Sequence, residues 1–356
     1  MTEYYQKSKK SDCVLIIPIY HPDRKWNECL RMLKKQKDVH FDVYIVDSGS
    51  DMKTYKKDLA GLSYEMVKTT PDQFNHGRTR QEAAEACADY PFLVYMTQDA
   101  IPADEYTIRN LLDAFDDTKV GCAYGRQLPH KDATVLAARA RAFNYPAESR
   151  VKKLEDVSQL GIKVPFISDT FAAYRPEALR QIGGFPSDVI LGEDNYVAAK
   201  MVLAGWYNAY CAEAKVYHSH NYTILQEFRR YFDTGAFHAM ESWIRDSFGQ
   251  AEGEGIRFVL AELIYLMKHK PFLVPSTFLR DGCKFLGYKL GMNYRRLPAS
   301  VTIVLCKKDG SIFYEMDIQR RAINIPLDFQ LEGLVMEINI TNCDGTKYKK
   351  THQFLK

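Results

Sequence analysis

The chain has 8 cysteines, but no two of them are spaced as Cys-x-x-Cys. Cys13, Cys29, Cys87, Cys122, Cys211, Cys283, Cys306 and Cys343 are scattered, which excludes a zinc knuckle or a disulfide framework and fits a reducing compartment. An excess of one charge is missing too. The net charge is only +3, too small to argue for nucleic acid, and no nucleic-acid partner is expected. No run approaches the ~18 apolar residues that a bilayer-spanning helix needs. Residues 1–11 are polar and basic, without an apolar stretch of signal-peptide type behind them. There is no internal repeat and no low-complexity tract. What remains is a globular composition, 46% hydrophobic and 26% charged over 356 residues. That is enough chain for two domains, or for one large domain with an appendage. The cytoplasm is the expected location.

Hydrophobic runs alternate with helical patterns through the first half. Residues 14–18 read as a buried strand ended by Pro18. Residues 25–36 read as a helix, with Trp26, Cys29, Leu30 and Leu33 at helical spacing. Residues 41–46 form a second buried strand, a short third lies near 64–67, and the runs 92–97 and 120–124 follow. Helices are expected at 79–88 and 108–115. Near-continuous apolar strands joined by helices imply a mostly parallel sheet covered on both faces. Beyond residue 125 the pattern loosens. A helix is expected at 133–143, a loop with helical pieces at 144–165 and an extended segment at 166–174. A helix with proline in its first turn follows at 176–182, stopped by Gly183-Gly184. A helix at 194–204 and a strand at 209–218 complete this part. Residues 224–290 read as mostly helical. The segments 301–305, 311–314 and 334–340 read as strands, with Asp309-Gly310 and Asp344-Gly345 as hairpin turns.

Carboxylates and histidines close several of these runs. In an open α/β sheet, strand ends deliver such residues to a crevice at the carboxyl edge, where ligands bind. Asp47-Ser48-Gly49-Ser50 follows a strand, where an Asp can accept hydrogen bonds from a base or ribose; an ordinary N-capped turn reads equally well. Asn75-His76-Gly77-Arg78-Thr79-Arg80 opens a helix with two arginines and a histidine, a setting that suits diphosphate or merely a solvated basic helix start. In Thr97-Gln98-Asp99-Ala100, Asp99 is a candidate ligand for Mg²⁺ or Mn²⁺, or a plain turn residue. Glu193-Asp194 begins a helix, where two acids favour the helix dipole. Adjacent side chains diverge, so only one need face a substrate, and Asp194 is the chosen general base. Val216-Tyr217-His218-Ser219-His220 ends a strand, and alternation puts both histidines on one face. That suits a metal, though not zinc in conventional spacing.

Taken in order, these residues resemble the inverting family 2 glycosyltransferases of the GT-A fold. The strings Phe74-Asn75-His76-Gly77-Arg78-Thr79-Arg80, Tyr124-Gly125-Arg126-Gln127-Leu128-Pro129, Gly183-Gly184-Phe185-Pro186 and Phe228-Arg229-Arg230-Tyr231-Phe232 are similar to its bacterial rhamnosyltransferase branch. The resemblance covers residues 12–298. It implies an α/β Rossmann-like, mixed and mostly parallel sheet flanked by helices. It implies that Pro18, Tyr20, Asp47 and Arg78 line a nucleotide pocket, with Ser48, His76, Arg80 and Gln98 in the same donor-binding set. Asp99 would match the last acid of the Asp-x-Asp metal motif, whose first acid is Thr97 here. Asp194 would match the catalytic base, beside Glu193, and His218 a metal histidine. The donor implied is a nucleoside diphosphate sugar, dTDP-L-rhamnose. The acceptor implied is a glycan or lipid-linked glycan destined for a cell-surface polysaccharide.

Three parts are expected: a catalytic domain at 1–223, a helical extension at 224–299 and a small β appendage at 300–356. The segment 256–296 mixes Phe258, Leu260, Leu263, Tyr265, Leu266 and Phe278 with lysines and arginines. It reads either as a helix pair packed on the catalytic domain or as a basic amphipathic surface on the cytoplasmic face of the inner membrane. Two other functions compete with transfer. A non-catalytic sugar-nucleotide or glycan-binding subunit of a synthesis complex is disfavoured by the intact Asp99 and Glu193-Asp194. A nucleotidyltransferase is disfavoured because Pro18-Ile19-Tyr20-His21-Pro22 contains no glycine.

Overall fold

The computed structural model describes residues 11–51, 57–71 and 73–296, and the backbone of 300–306, 312–319, 335–341 and 347–353. These residues form two units. One comprises Met1–Thr223 with Met240–Asp281, the other Ile224–Ala239 with Gly282–Lys356.

The first unit is built on β1 (Cys13–Ile19), whose apolar run feeds two cores. Leu15, Ile17 and Ile19 pack with Trp26, Cys29, Leu30 and Leu33 of the helix Arg24–Leu33. Val14 and Ile16 face the other way, toward Ala83 and Ala84 of the helix His76–Ala86 and Val197, Ala198 and Met201 of the helix Glu193–Leu203. Successive strand residues point to opposite faces, so a strand covered on both sides must be apolar throughout.

Parallel pairing joins β1 to β2 (Phe41–Asp47) and β4 (Leu93–Met96), and β2 to β3 (Tyr64–Lys68). Next to β4 lies β8 (Phe171–Tyr174), antiparallel both to it and to β6 (Val120–Leu128). β9 (Tyr207–Tyr217) runs parallel to β6 and carries β5 (Ile101–Pro102) and β7 (Arg150–Lys152) as antiparallel neighbours. Of these nine strands β3, β2, β1, β4, β6 and β9 point one way. The sheet is therefore mixed and mostly parallel, as expected. The extended segment expected at 166–174 shortens to β8, and β7 forms inside the expected loop 144–165.

Strand polarity positions the site. β1, β2, β4, β6 and β9 end at the carboxyl edge. The helices His76–Ala86 and Glu193–Leu203 lead back toward the starts of β4 and β9, so their N-termini lie at that same edge. β8 runs backwards, with Phe171 opposite Met96, so the residues just before it also reach this edge.

In the second unit the helix Ile224–Met240 packs closely on the residues from Gly282 to Met292. A Cβ on Gly291 would lie 1.9 Å from the Phe232 carbonyl oxygen, so only glycine fits this crossing. Lys284 and Glu227 pair at 3.6 Å. The remaining strands, β10 (Ser300–Cys306), β11 (Ile312–Gln319), β12 (Val335–Thr341) and β13 (Lys347–Gln353), form an antiparallel sheet in the order β11-β10-β12-β13. The expected turns Asp309-Gly310 and Asp344-Gly345 lie outside the described residues. β13 was not expected. Its sequence, Lys-Tyr-Lys-Lys-Thr-His-Gln, lacks an apolar run that would signal a strand.

Candidate active site

Three groups of side chains meet at the carboxyl edge of the large sheet. The first is Asp99 with two histidines. His218 Nε2 lies 3.6 Å and His220 Nε2 3.9 Å from Asp99 Oδ2, and the three ligand atoms lie within 4.8 Å of one another. The two rings stand nearly perpendicular, 4.6 Å apart. His218 is buried, and its Nδ1 meets Gln127 Oε1 at 2.9 Å. An amide oxygen only accepts, so Nδ1 donates to Gln127, which leaves Nε2 facing Asp99. Gln127 is held in turn by Ser168 Oγ at 3.1 Å and by a donated bond from Arg141. One carboxylate and two imidazoles fit a divalent ion that accepts oxygen and nitrogen. Thr97, where the family motif places an acid, is half-buried, and its buried Oγ1 has no hydrogen-bond partner among the described residues. His220, left open in the sequence, joins the set in its stead.

The second group surrounds Arg80. Its guanidinium is buried between Asp169, at 2.7 Å, and Glu193, at 3.0 Å. Burial opposes its charge, but Glu193, Asp169 and Asp194 outweigh that and keep it ionised. Arg80, expected in the donor-binding set, stands here between two acids. Its charge is already taken up by two carboxylates, and Glu193 is held by it. Asp194 is only partly buried. Its Oδ2 accepts from the Asp169 amide at 3.2 Å, and its Oδ1 accepts from the amide and side chain of Asn195 at 2.7 and 2.9 Å. Burial, then the neighbouring Glu193, raises the Asp194 carboxyl above its usual range. Asp169 receives a 2.6 Å bond from Tyr174 and is pushed up to about 7, chiefly by burial, against the pull of Arg80.

The third group lies at the ends of β1 and β2. Asp47 Oδ1 accepts from the amides of Gly49 and Ser50 at 3.2 and 2.8 Å. Its Oδ2 is buried and has no hydrogen-bond partner among the described residues, an acceptor left over for a ligand donor. Ser48 Oγ donates to the Ile19 carbonyl at 3.0 Å. Gln98 makes two bonds to the Tyr20 backbone, accepting from N at 2.8 Å and donating to O at 3.1 Å. Ser48 and Gln98 thus brace the loop after β1. Pro18 is half-buried in β1, and the Tyr20 ring is exposed. His76 opens its helix with its ring edge-on to Phe74 at 5.1 Å. Arg78 is exposed, donates to the Gln73 carbonyl and lies 3.9 Å from Glu82.

The segment Ser168-Asp169-Thr170 joins the first two groups. Ser168 holds Gln127 behind His218, the Asp169 amide holds Asp194, and the Thr170 carbonyl accepts from Thr97 N at 3.2 Å. The sequence reading missed Asp169, Gln127 and Arg141. The only available signal was position, since Gln127 lies near the end of β6 and Asp169 just ahead of β8.

Comparison with known proteins agrees with this geometry. The description Glycosyl transferase family 2 matches residues 14–183. The O-antigen chain rhamnosyltransferase WbaN of Salmonella anatum is 45% identical over 287 residues, covering 80% of this chain and 91% of that protein. The O-antigen chain rhamnosyltransferase RfbN of Salmonella typhimurium is 46% identical over 288 residues, with the same coverage of 80% and 91%. Among solved structures, the mannosyltransferase PcManGT of Pyrobaculum calidifontis, in complex with GDP-Man and Mn²⁺, superposes with a TM-score of 0.54. It covers 80% of this chain and 88% of its own, and at 17% identity it speaks for the GT-A fold alone. The chain belongs to glycosyl transferase family 2 and is an inverting glycosyltransferase.

Proposed function

We propose that this enzyme moves L-rhamnose from dTDP-L-rhamnose to a lipid-linked glycan of O-antigen type, at the cytoplasmic face of a membrane. Rhamnosyl transfer to O-antigen follows the names of the two relatives, whereas the dTDP nucleotide and the lipid link follow the family resemblance. The chemistry rests on one observation of this chain. A metal-type cluster and a partly exposed carboxylate of raised pKa lie at one sheet edge, joined through Ser168-Asp169-Thr170.

Asp194 takes the proton of the acceptor hydroxyl as its oxygen attacks the anomeric carbon. The bond from that carbon to the diphosphate oxygen breaks on the opposite face, its electron pair leaves with the nucleotide, and the configuration inverts. A carboxyl held above the usual ~4 is a better base near neutrality than an ordinary one. Asp99, His218 and His220 would hold Mg²⁺ or Mn²⁺, and two imidazoles favour Mn²⁺. Such an ion, when bound, neutralises charge on the leaving diphosphate. Asp47 Oδ2 accepts from the base or ribose, and the exposed Tyr20 ring offers the nucleotide a flat apolar face. The Asp169 amide and Asn195 hold the base, while Arg80 pairs with both Asp169 and Glu193.

Replacing the base tests the assignment. Asp194→Asn is expected to lose ~10²–10⁴ in kcat. Donor affinity by calorimetry should stay nearly unchanged. Transfer at the wild-type rate would remove Asp194 from its role. A thermal-shift screen of nucleoside diphosphate sugars, with and without Mn²⁺, tests the donor, and dTDP-L-rhamnose should stabilise most.

A further inference from the structure

The helix Glu252–His269 has two apolar faces, and the fold uses one. On the used face Leu266 and Glu262 are buried, Phe258 meets Phe143 edge-on at 5.3 Å, and Arg139 lies 4.5 Å over the Tyr265 ring. On the other face Ile256, Leu260, Ile264 and Met267 recur at spacings of four, four and three, one above the next. Phe272 in the turn Pro271–Leu273 and Phe278 in the helix Val274–Met292 are large exposed apolar side chains of the segments that follow. These six side chains are 55–72% exposed. Isolated exposed apolar residues are ordinary, but a contiguous row of large ones marks an interaction surface.

The charges choose the partner. The exposed charged residues between 252 and 281 are Arg257, which pairs with Glu254, and the lysines Lys268 and Lys270. None of the acids there is exposed, since Glu252, Glu254 and Asp281 are half-buried. Glu262 is buried, and Glu254 is taken up by Lys163 at 2.6 Å and Arg257 at 2.7 Å. Cations around an apolar face match an anionic lipid surface, whereas a second copy of the same face would set cation against cation. Among the described residues no helix is long and apolar enough to cross a membrane. We propose that the face of Ile256, Leu260, Ile264, Met267, Phe272 and Phe278 lies in the plane of an anionic bilayer. Its side chains then enter the boundary between headgroups and acyl chains, where interfacial helices rest. All six belong to the unit that carries the active site. The inference deepens the proposed function, in which the acceptor is lipid-linked.

Flotation of the full chain with vesicles tests it, comparing phosphatidylglycerol-rich with pure phosphatidylcholine membranes at low and high salt. The wild type should float with the anionic vesicles and less so at high salt. The double variant I264E/M267E should lose at least ~10-fold in partitioning, since both charges would enter the interface. Its melting curve should stay unchanged, because both positions are exposed, and so should its rate on a lipid-free acceptor glycan. The inference falls if the wild type does not float, if the variant floats as well as the wild type, or if light scattering shows a dimer that the variant dissolves. Flotation without any sugar transfer would instead overturn the proposed function.

Discussion

Arg78 and Arg80 stand two positions apart at the start of one helix, and their fates differ completely. Residues two apart on a helix point to different sides. Arg80 turns inward to Asp169 and Glu193, whereas Arg78 stays at the surface beside Gln73 and Glu82. The inward turn also shapes the base. Glu193 lies next to Asp194 in the chain and favours the protonated form of its neighbour. A base with a raised pKa is active above that pKa and loses activity as pH falls through it, so the acid limb of kcat should lie above ~4. Glu193→Gln removes the repelling charge and leaves Arg80 less fully paired. Both changes lower the Asp194 pKa, so the limb should move to lower pH in a pH–rate profile. An unmoved limb would show that the two carboxylates are not coupled.

Among the elements, the backward strand β8 is the one whose direction could not be read. Its residues Phe-Ala-Ala-Tyr are buried and would suit either direction. Yet direction alone decides that Asp169 lies at the site rather than at the far edge of the sheet. The helix His76–Ala86 shows a second tertiary demand. A Cβ on Gly77 would lie 1.7 Å from the Pro186 carbonyl oxygen, so glycine lets the loop 183–186 rest on the helix start. Gln81 strengthens that contact by accepting from Phe185 N at 2.8 Å. Gly77→Ala must push this loop away, at a cost of ~1–3 kcal/mol in the range of overpacked sites. Chemical denaturation should show that loss of stability. A stability equal to wild type would mean that the loop yields freely.

At the scale of the whole molecule, Gln127 connects parts that are distant in the chain. Its side chain on β6 touches His218 beyond β9, Ser168 ahead of β8 and Arg141 on the helix Val135–Asn144. Gln127→Ala would release the His218 ring from its tautomer and orientation. Losing such a partner typically costs ~10–100-fold in metal affinity. Titration of the variant with Mn²⁺, followed by electron paramagnetic resonance, should show that drop. Unchanged Mn²⁺ affinity would detach Gln127 from the metal cluster.

The residues of this chain determined by themselves the order of its elements, the doubly covered sheet and the acids at its strand ends. Those follow from apolar runs, glycine and proline punctuation and local side-chain chemistry, which act over a few positions. The tertiary structure alone decided that Arg80 lies between Asp169 and Glu193, that Gln127 meets His218, that His220 joins His218 beside Asp99 and that Ile256, Leu260, Ile264 and Met267 face outward. Each of these depends on strand direction or on partners far away in the chain. Such pairings are settled only when buried charges and hydrogen-bonding groups must find one another in a packed interior.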